Sequence, residues 1–199
     1  EEDKIVTMTV ILDSEDPAID GYMYSKIWLS KPHFDNENFD IIKKTIASNW
    51  ISSVGPNIAS FETSIEKILE CKAEVVALNS GTSAIHLALK LLEIGPGDEV
   101  FCQTFSFCAT VNPILYCGAT PIFIGSEKET WNMCPFFLEE AIKDRLKKQK
   151  KPKAILVVDS YGMPAKWDEI IAISRKYEIP IIEDAAAALG SRYKGQMCG

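Results

Sequence analysis

Three short segments of this chain carry residue types that could do chemistry, and each stands where an apolar run ends. The first is Asn79-Ser80-Gly81-Thr82-Ser83, which leads straight into a helical pattern. Small side chains let a backbone approach a ligand closely, and a helix start offers unpaired amides with positive partial charge; both favour a phosphate. A hydroxyl N-cap after a tight turn is the competing reading. The segment matches neither GxxxxGKS/T nor GxGxxG, which disfavours a nucleoside-triphosphate P-loop and weakens a dinucleotide-binding reading.

The second segment, Gln103-Thr104-Phe105-Ser106-Phe107, sets an aromatic where it forms a platform for a flat ring or else fills a core. The third is Glu183-Asp184, two adjacent acids that emerge from Ile179-Pro180-Ile181-Ile182 onto Ala185-Ala186-Ala187-Ala188. Successive strand side chains point to opposite faces, so these acids cannot share one role. A carboxylate at a buried strand end needs a partner. A protonated ring nitrogen of a bound cofactor would serve, and so would a capping bond to the helix that follows. Asp159-Ser160-Tyr161-Gly162 adds a further polar strand end with a glycine turn.

The elements that must hold these segments alternate. Val75 to Leu78 reads as a short buried strand, and Thr82 to Leu92 as a helix with Ile85, Leu89 and Leu92 on its inner face. Glu99 to Gln103 is a strand, Phe107 to Cys117 a helix opened or bent by Pro113, and Pro121 to Ile124 a strand. Pro135 opens a helix with Leu138, Ile142 and Leu146 at four-residue spacing, closed by a lysine cluster that suits a helix C-terminus. Ala154 to Val158, Trp167 to Tyr177 and Ile179 to Ile182 follow as strand, helix and strand.

Upstream, Asn36 or Asn38 caps a helix running to about Asn49, and Phe61, Ile65, Ile68 and Leu69 mark another that ends near Cys71. Gly55-Pro56 marks the loop between them. Residues 22–34 read as an extended aromatic arm and 1–21 as a tail or irregular segment. Strand and helix in alternation imply a parallel α/β sheet covered on both faces, with ligands at the carboxyl ends of its strands.

Composition bounds the rest. With 199 residues, 47% of them hydrophobic, the chain can bury a core without a disulfide or metal staple. A balance of 21 basic against 28 acidic residues argues against nucleic acid as a partner. No apolar run approaches about 18 residues, and no basic-then-apolar secretory signal opens the chain; no membrane is expected. Six cysteines include no CxxC pair and there are two histidines, so no metal is expected. The cysteines read as buried free thiols in a reducing cytosol. Glu1 is not Met, and Gln196-Met197-Cys198-Gly199 looks like mid-protein sequence, so the chain is expected to be a piece of a longer protein.

Further blocks stand in order around these segments: Leu29-Ser30-Lys31-Pro32-His33, Asn49-Trp50-Ile51-Ser52, Gly95-Pro96-Gly97-Asp98-Glu99-Val100, Gly118-Ala119-Thr120-Pro121, and Tyr161-Gly162 with Pro164-Ala165. Together with Leu78 to Leu89 and Ile182 to Ala186, they resemble the DegT/DnrJ/EryC1/StrS family of sugar-nucleotide aminotransferases. The branch most similar is that of pilin and polysaccharide amino sugars. The resemblance implies the large domain of a fold type I transferase dependent on pyridoxal 5'-phosphate, a three-layer α/β/α sandwich on a mainly parallel sheet, cut short here.

It also implies roles. Gly81, Thr82 and Ser83 would hold the cofactor phosphate, Phe105 would stack on the pyridine ring, and Asp184 would pair with the pyridinium nitrogen. Asn49, Trp50, Ile51 and Ser52 would touch the sugar nucleotide. The implied reaction moves an amino group from glutamate to a keto sugar of a nucleoside-diphosphate sugar, in a cytoplasmic homodimer. Two departures stand out. Ala187 replaces the His, Gln or Glu that would contact the cofactor's ring hydroxyl, and Asp159 stands where many members have His. The family's Schiff-base lysine would lie beyond Gly199, and Lys194 is expected at the surface, so these residues alone are not expected to transaminate. Two alternatives remain: a dehydratase of the same family that replaces the lysine with His, and a non-catalytic binding domain.

Overall fold

Residues 35–70 and 74–199 are described in the computed structural model. The expected tail at 1–21, the aromatic arm at 22–34 and the Leu29 to His33 block lie outside them. The chain divides into two units, Glu1–Asn49 and Trp50–Gly199.

In the first unit, helix α1 spans Asn36–Ala47. Its cap is Asp35, where the sequence pointed to Asn36 or Asn38. The Asp35 carboxylate accepts from the Asn38 amide at 3.0 Å, and the Asn38 side chain accepts from the Asp35 amide at 3.4 Å. This reciprocal pair satisfies two of the amides a helix start leaves open. Asn38 is thus the third residue of the helix, and helical periodicity alone cannot separate those two positions.

In the second unit, α2 (Pro56–Leu69) opens on a proline after Gly55, whose φ of 145° few other residues adopt. Then come α3 (Gly81–Leu91), β1 (Glu99–Gln103), α4 (Cys108–Tyr116) and β2 (Thr120–Ile124). They are followed by α5 (Pro135–Lys147), β3 (Ala154–Val158), α6 (Trp167–Tyr177) and β4 (Ile181–Asp184). Strands pair in the order β2-β1-β3-β4, all parallel. The two central strands are buried along their whole length.

Alternate strand residues feed two cores. Phe101, Ile155 and Val157 pack with Leu138, Ile142 and Ile170 of α5 and α6. Val100, Cys102 and Leu156 pack with Ile85, Leu89 and Ile114 of α3 and α4. The result is the expected three-layer α/β/α arrangement. Pro113 is accommodated inside α4 and buried there, without opening the helix. A hairpin of β5 (Arg192–Tyr193) and β6 (Gln196–Met197) follows β4. It turns at Lys194 and Gly195, both at positive φ, as a tight hairpin turn requires. No described helix is long and apolar enough to cross a membrane.

Two expected elements differ. Val75 to Leu78 is not a strand among the described residues. The Val75 and Ala77 amides donate to the Glu66 and Glu62 carboxylates of α2, at 3.3 and 2.9 Å, instead of to a neighbouring strand. Val76 and Leu78 remain exposed. Apolar β-formers make a strand only when a ladder partner accepts their backbone groups. The last strand is Ile181–Asp184 in place of Ile179–Ile182, because the Ile179 amide bonds back to Ser174 and closes α6, and Pro180 has no amide. Both acids therefore lie inside the ladder, Glu183 opposite Val157 and Asp184 opposite Val158.

Candidate functional site

Parallel strands bring their carboxyl ends to one rim, and a cavity of about 280 Å³ opens there. Phe105, Thr110, Ser160, Tyr161, Asp184 and Ala187 line it. They come from the ends of β1, β3 and β4 and from the first turn of α4, segments far apart in sequence.

Asp184 forms the polar floor. Its Oδ2 accepts from the Thr110 hydroxyl at 2.9 Å and its Oδ1 from the Ala186 amide at 3.2 Å. The helix that the sequence placed after Asp184 is a turn over residues 186–190, so the Ala186 bond closes that turn and caps no helix; an ionised carboxylate has about four lone-pair sites, so room for another donor remains. Thr110 is buried, and Ser106 Oγ lies 2.6 Å from its hydroxyl oxygen.

Phe105 is 39% exposed beside this floor. Trp131 meets it edge to face, with ring centroids 5.5 Å apart, and Tyr161 leans on it at 6.1 Å. Both neighbours adopt positive φ, 65° and 54°, strained for residues of their size. Gln103 fixes the backbone beneath. Fully buried, its Nε2 donates to the Phe105 carbonyl and the Ser160 hydroxyl, both at 2.9 Å. Its Oε1 accepts from the Val158 amide at 3.1 Å. One side chain thus fastens the end of β1 to the end of β3.

Gly81, Thr82 and Ser83 form the first turn of α3. The Ser80 hydroxyl caps it, accepting from the Ser83 amide at 3.2 Å. A Cβ built on Gly81 would meet nothing within 4 Å, so the space above this turn is open. Ile85, one turn on, shares a core with Ile182 of β4. Helix α3 and Asp184 therefore belong to the same face of the sheet, and the helix starts at the rim where β4 ends. Trp50, Ile51 and Ser52 are exposed and do not line the cavity; the Trp50 ring lies 3.1 Å from where a Gly55 Cβ would sit. Asn49 closes the other unit in the left-handed conformation, at φ 58°. Lys194 is exposed and paired with Asp168.

The opposite face of β4 holds a different group. Asp159 is fully buried, and its Oδ1 accepts from the Ala165 amide at 2.7 Å and the Trp167 ring at 3.1 Å. Its Oδ2 has no donor. Ligand atoms of Asp159, Glu183 and Cys198 lie within 4.8 Å of one another. Burial pushes the Glu183 carboxyl up to about 7, against the Gly199 amide that favours its charge, and neighbouring Asp159 adds to the rise. Burial, with Asp159 again, pushes the Cys198 thiol up to about 11.

Residues 32–199 match the DegT/DnrJ/EryC1/StrS aminotransferase family. The chain belongs to that family. EpsN of Bacillus subtilis (strain 168), whose name places it among the pyridoxal phosphate-dependent aminotransferases, is 48% identical over 177 residues, 89% of this chain and 45% of its own. The GDP-perosamine synthase of Caulobacter vibrioides is 36% identical over 87% of this chain and 45% of its own. A DegT/DnrJ/EryC1/StrS aminotransferase structure from Brucella abortus superposes with a TM-score of 0.77 at 35% identity, covering 81% of this chain and 43% of that one. This chain spans less than half the length of the curated relatives it matches.

The family's cofactor is pyridoxal 5'-phosphate, and the cavity fits it on its own terms. It offers a carboxylate floor with spare acceptor capacity and an aromatic wall; Gly81, Thr82 and Ser83 do not line it, and the space over their turn is open. Sequence reading singled out the segment that holds Gln103 and Ser106 without giving either a role, and missed Thr110 and Trp131. Ser106 and Thr110 stand four residues apart where a strand end turns into a helix, a spacing that brings hydroxyls together; no local pattern marks the other two.

Proposed function

We propose that this chain builds the cofactor cradle of an aminotransferase that moves an amino group from glutamate to a keto sugar of a nucleoside-diphosphate sugar. The observation that carries the reading is the Asp184 carboxylate, set at the floor of the cavity and held by Thr110 and Ala186 with acceptor capacity to spare. When bound, pyridoxal phosphate supplies an electron sink that weakens bonds at the amine-bearing carbon. In this reading Asp184 holds the proton at the ring nitrogen. Phe105 covers one ring face and excludes water from it. The amides of Gly81 and Thr82 and the hydroxyls of Thr82 and Ser83 hold the phosphate at the helix start.

Ala187 offers no side-chain donor or acceptor to the ring hydroxyl, so that contact comes from another group. Asn49, Trp50, Ile51 and Ser52 are assigned to the sugar nucleotide on family resemblance, supported by the perosamine synthase relative. The exposed Phe107 and Tyr161 at the cavity mouth support a homodimer in which a second copy covers the site. No lysine here is assigned to anchoring the cofactor, so these 199 residues alone bind cofactor without turning over.

Titration with pyridoxamine 5'-phosphate, which needs no anchoring lysine, tests the cradle. The wild-type protein is expected to saturate at one equivalent, and absence of binding would overturn the reading. Release of 2-oxoglutarate from glutamate, in the presence of a nucleoside-diphosphate keto sugar and the full-length protein, tests the reaction.

A further inference from the structure

We propose that Thr110 is the positioning residue for Asp184, and that Ser106 sets the direction of its hydroxyl. The inference rests on the cofactor reading of the cavity and concerns how its floor is held.

An ionised carboxylate only accepts hydrogen bonds, and a threonine hydroxyl has a single proton. The 2.9 Å contact between Thr110 Oγ1 and Asp184 Oδ2 therefore consumes that proton. At the 2.6 Å contact between Ser106 and Thr110, geometry alone leaves the donor open. With Thr110's proton already committed, Ser106 must donate. The chain of donation runs one way, from Ser106 to Thr110 to Asp184.

Thr110 is 1% exposed, so water does not substitute for it, and its bond to the carboxylate is charge-assisted. Asp184 Oδ1 is tied by the Ala186 amide at a longer 3.2 Å. Two donors on different oxygens fix the plane of the carboxylate. Without Thr110 the group can turn about its Cβ–Cγ bond, and a ring nitrogen would meet an acceptor of uncertain direction. Thr110 acts through Asp184 and is assigned no contact with the cofactor.

The test uses three variants and pyridoxamine 5'-phosphate titration, with the near-ultraviolet band of the bound ligand as a second readout. Thr110→Val keeps the shape and removes the hydroxyl. It is expected to weaken binding about tenfold, the size of one hydrogen bond to a charged group, and to shift the band. Thr110→Ser keeps the hydroxyl and is expected to bind within about threefold of wild type. Ser106→Ala, which leaves Thr110's proton in place, should fall between them. Equal affinity for wild type and Thr110→Val would overturn the proposal. So would the reverse ranking, with valine tolerated and serine harmful, because it would assign Thr110 to packing. Failure of wild type to bind would instead strike the cofactor reading itself, and this proposal with it.

Discussion

Asp184 and Glu183 are chain neighbours on one strand, yet they live in opposite electrostatic settings. Asp184 faces an open cavity and is held by two donors. Glu183 faces Asp159 and Cys198, and burial with a like charge nearby pushes its carboxyl up to about 7. Pleating separates the two faces, and the neighbours on each face decide whether a carboxyl serves as an anion or as a proton carrier. An acid's role follows from the donors its environment supplies.

Exchanging the two side chains' chemistry is the hardest test of this contrast. Asp184→Asn is expected to weaken pyridoxamine 5'-phosphate binding about a hundredfold by removing a charge partner, and to lower stability by about 1 kcal/mol because one of its two donors loses an acceptor; calorimetric titration checks the first and a melting curve the second. Comparable affinity in the variant would place the cofactor elsewhere. Phe105→Ala should cost about tenfold in the same titration, since a stacked aromatic wall is replaced by open space.

Glu183→Gln should leave cofactor affinity unchanged and act on stability alone. Glu183's pKa rises from an ordinary 4.5 to about 7 on folding. The folded state therefore binds its proton more tightly. That contribution is complete below about pH 4.5 and is lost as pH rises through about 7, an effect of about 1 kcal/mol once solvent screening of this partly exposed group is allowed for. Denaturant titrations between these values should show wild-type stability falling with pH and the slope flattened in Glu183→Gln. An unchanged slope would mean that Glu183 is not the proton carrier.

Glu127 provides the opposite sign. Burial alone would raise its pKa, but the Thr130 hydroxyl, the Glu129 and Thr130 amides and Lys166 together lower it to about 2. Its contribution is present above about pH 4.5 and lost as pH falls toward about 2. Glu127→Gln should flatten stability in that acid window by about 1 kcal/mol, measurable by urea unfolding.

Much of this contrast is legible in the sequence. The alternation of faces at Glu183-Asp184 follows from the strand period, and the bounds of β1, β3 and α6 fall where apolar runs meet turn residues. The supports of the site are not legible. Thr110 lies 74 residues from Asp184, and Gln103 lies 57 from Ser160; only tertiary folding brings these pairs together. Val75 to Leu78 shows the complementary failure: local β-preference predicts a strand, but glutamates of α2 take up two of its amides. The proposal that residues 49–52 touch substrate rests on resemblance alone, and these residues do not line the cavity.

The Gln103 joint has a consequence for binding thermodynamics. A single carboxamide ties the aromatic wall to the loop that carries Ser160 and Tyr161, so the two banks of the cleft are joined directly. A ligand entering such a cleft finds its walls already assembled. Little motional freedom is left to freeze, and the heat released on association comes through largely unopposed.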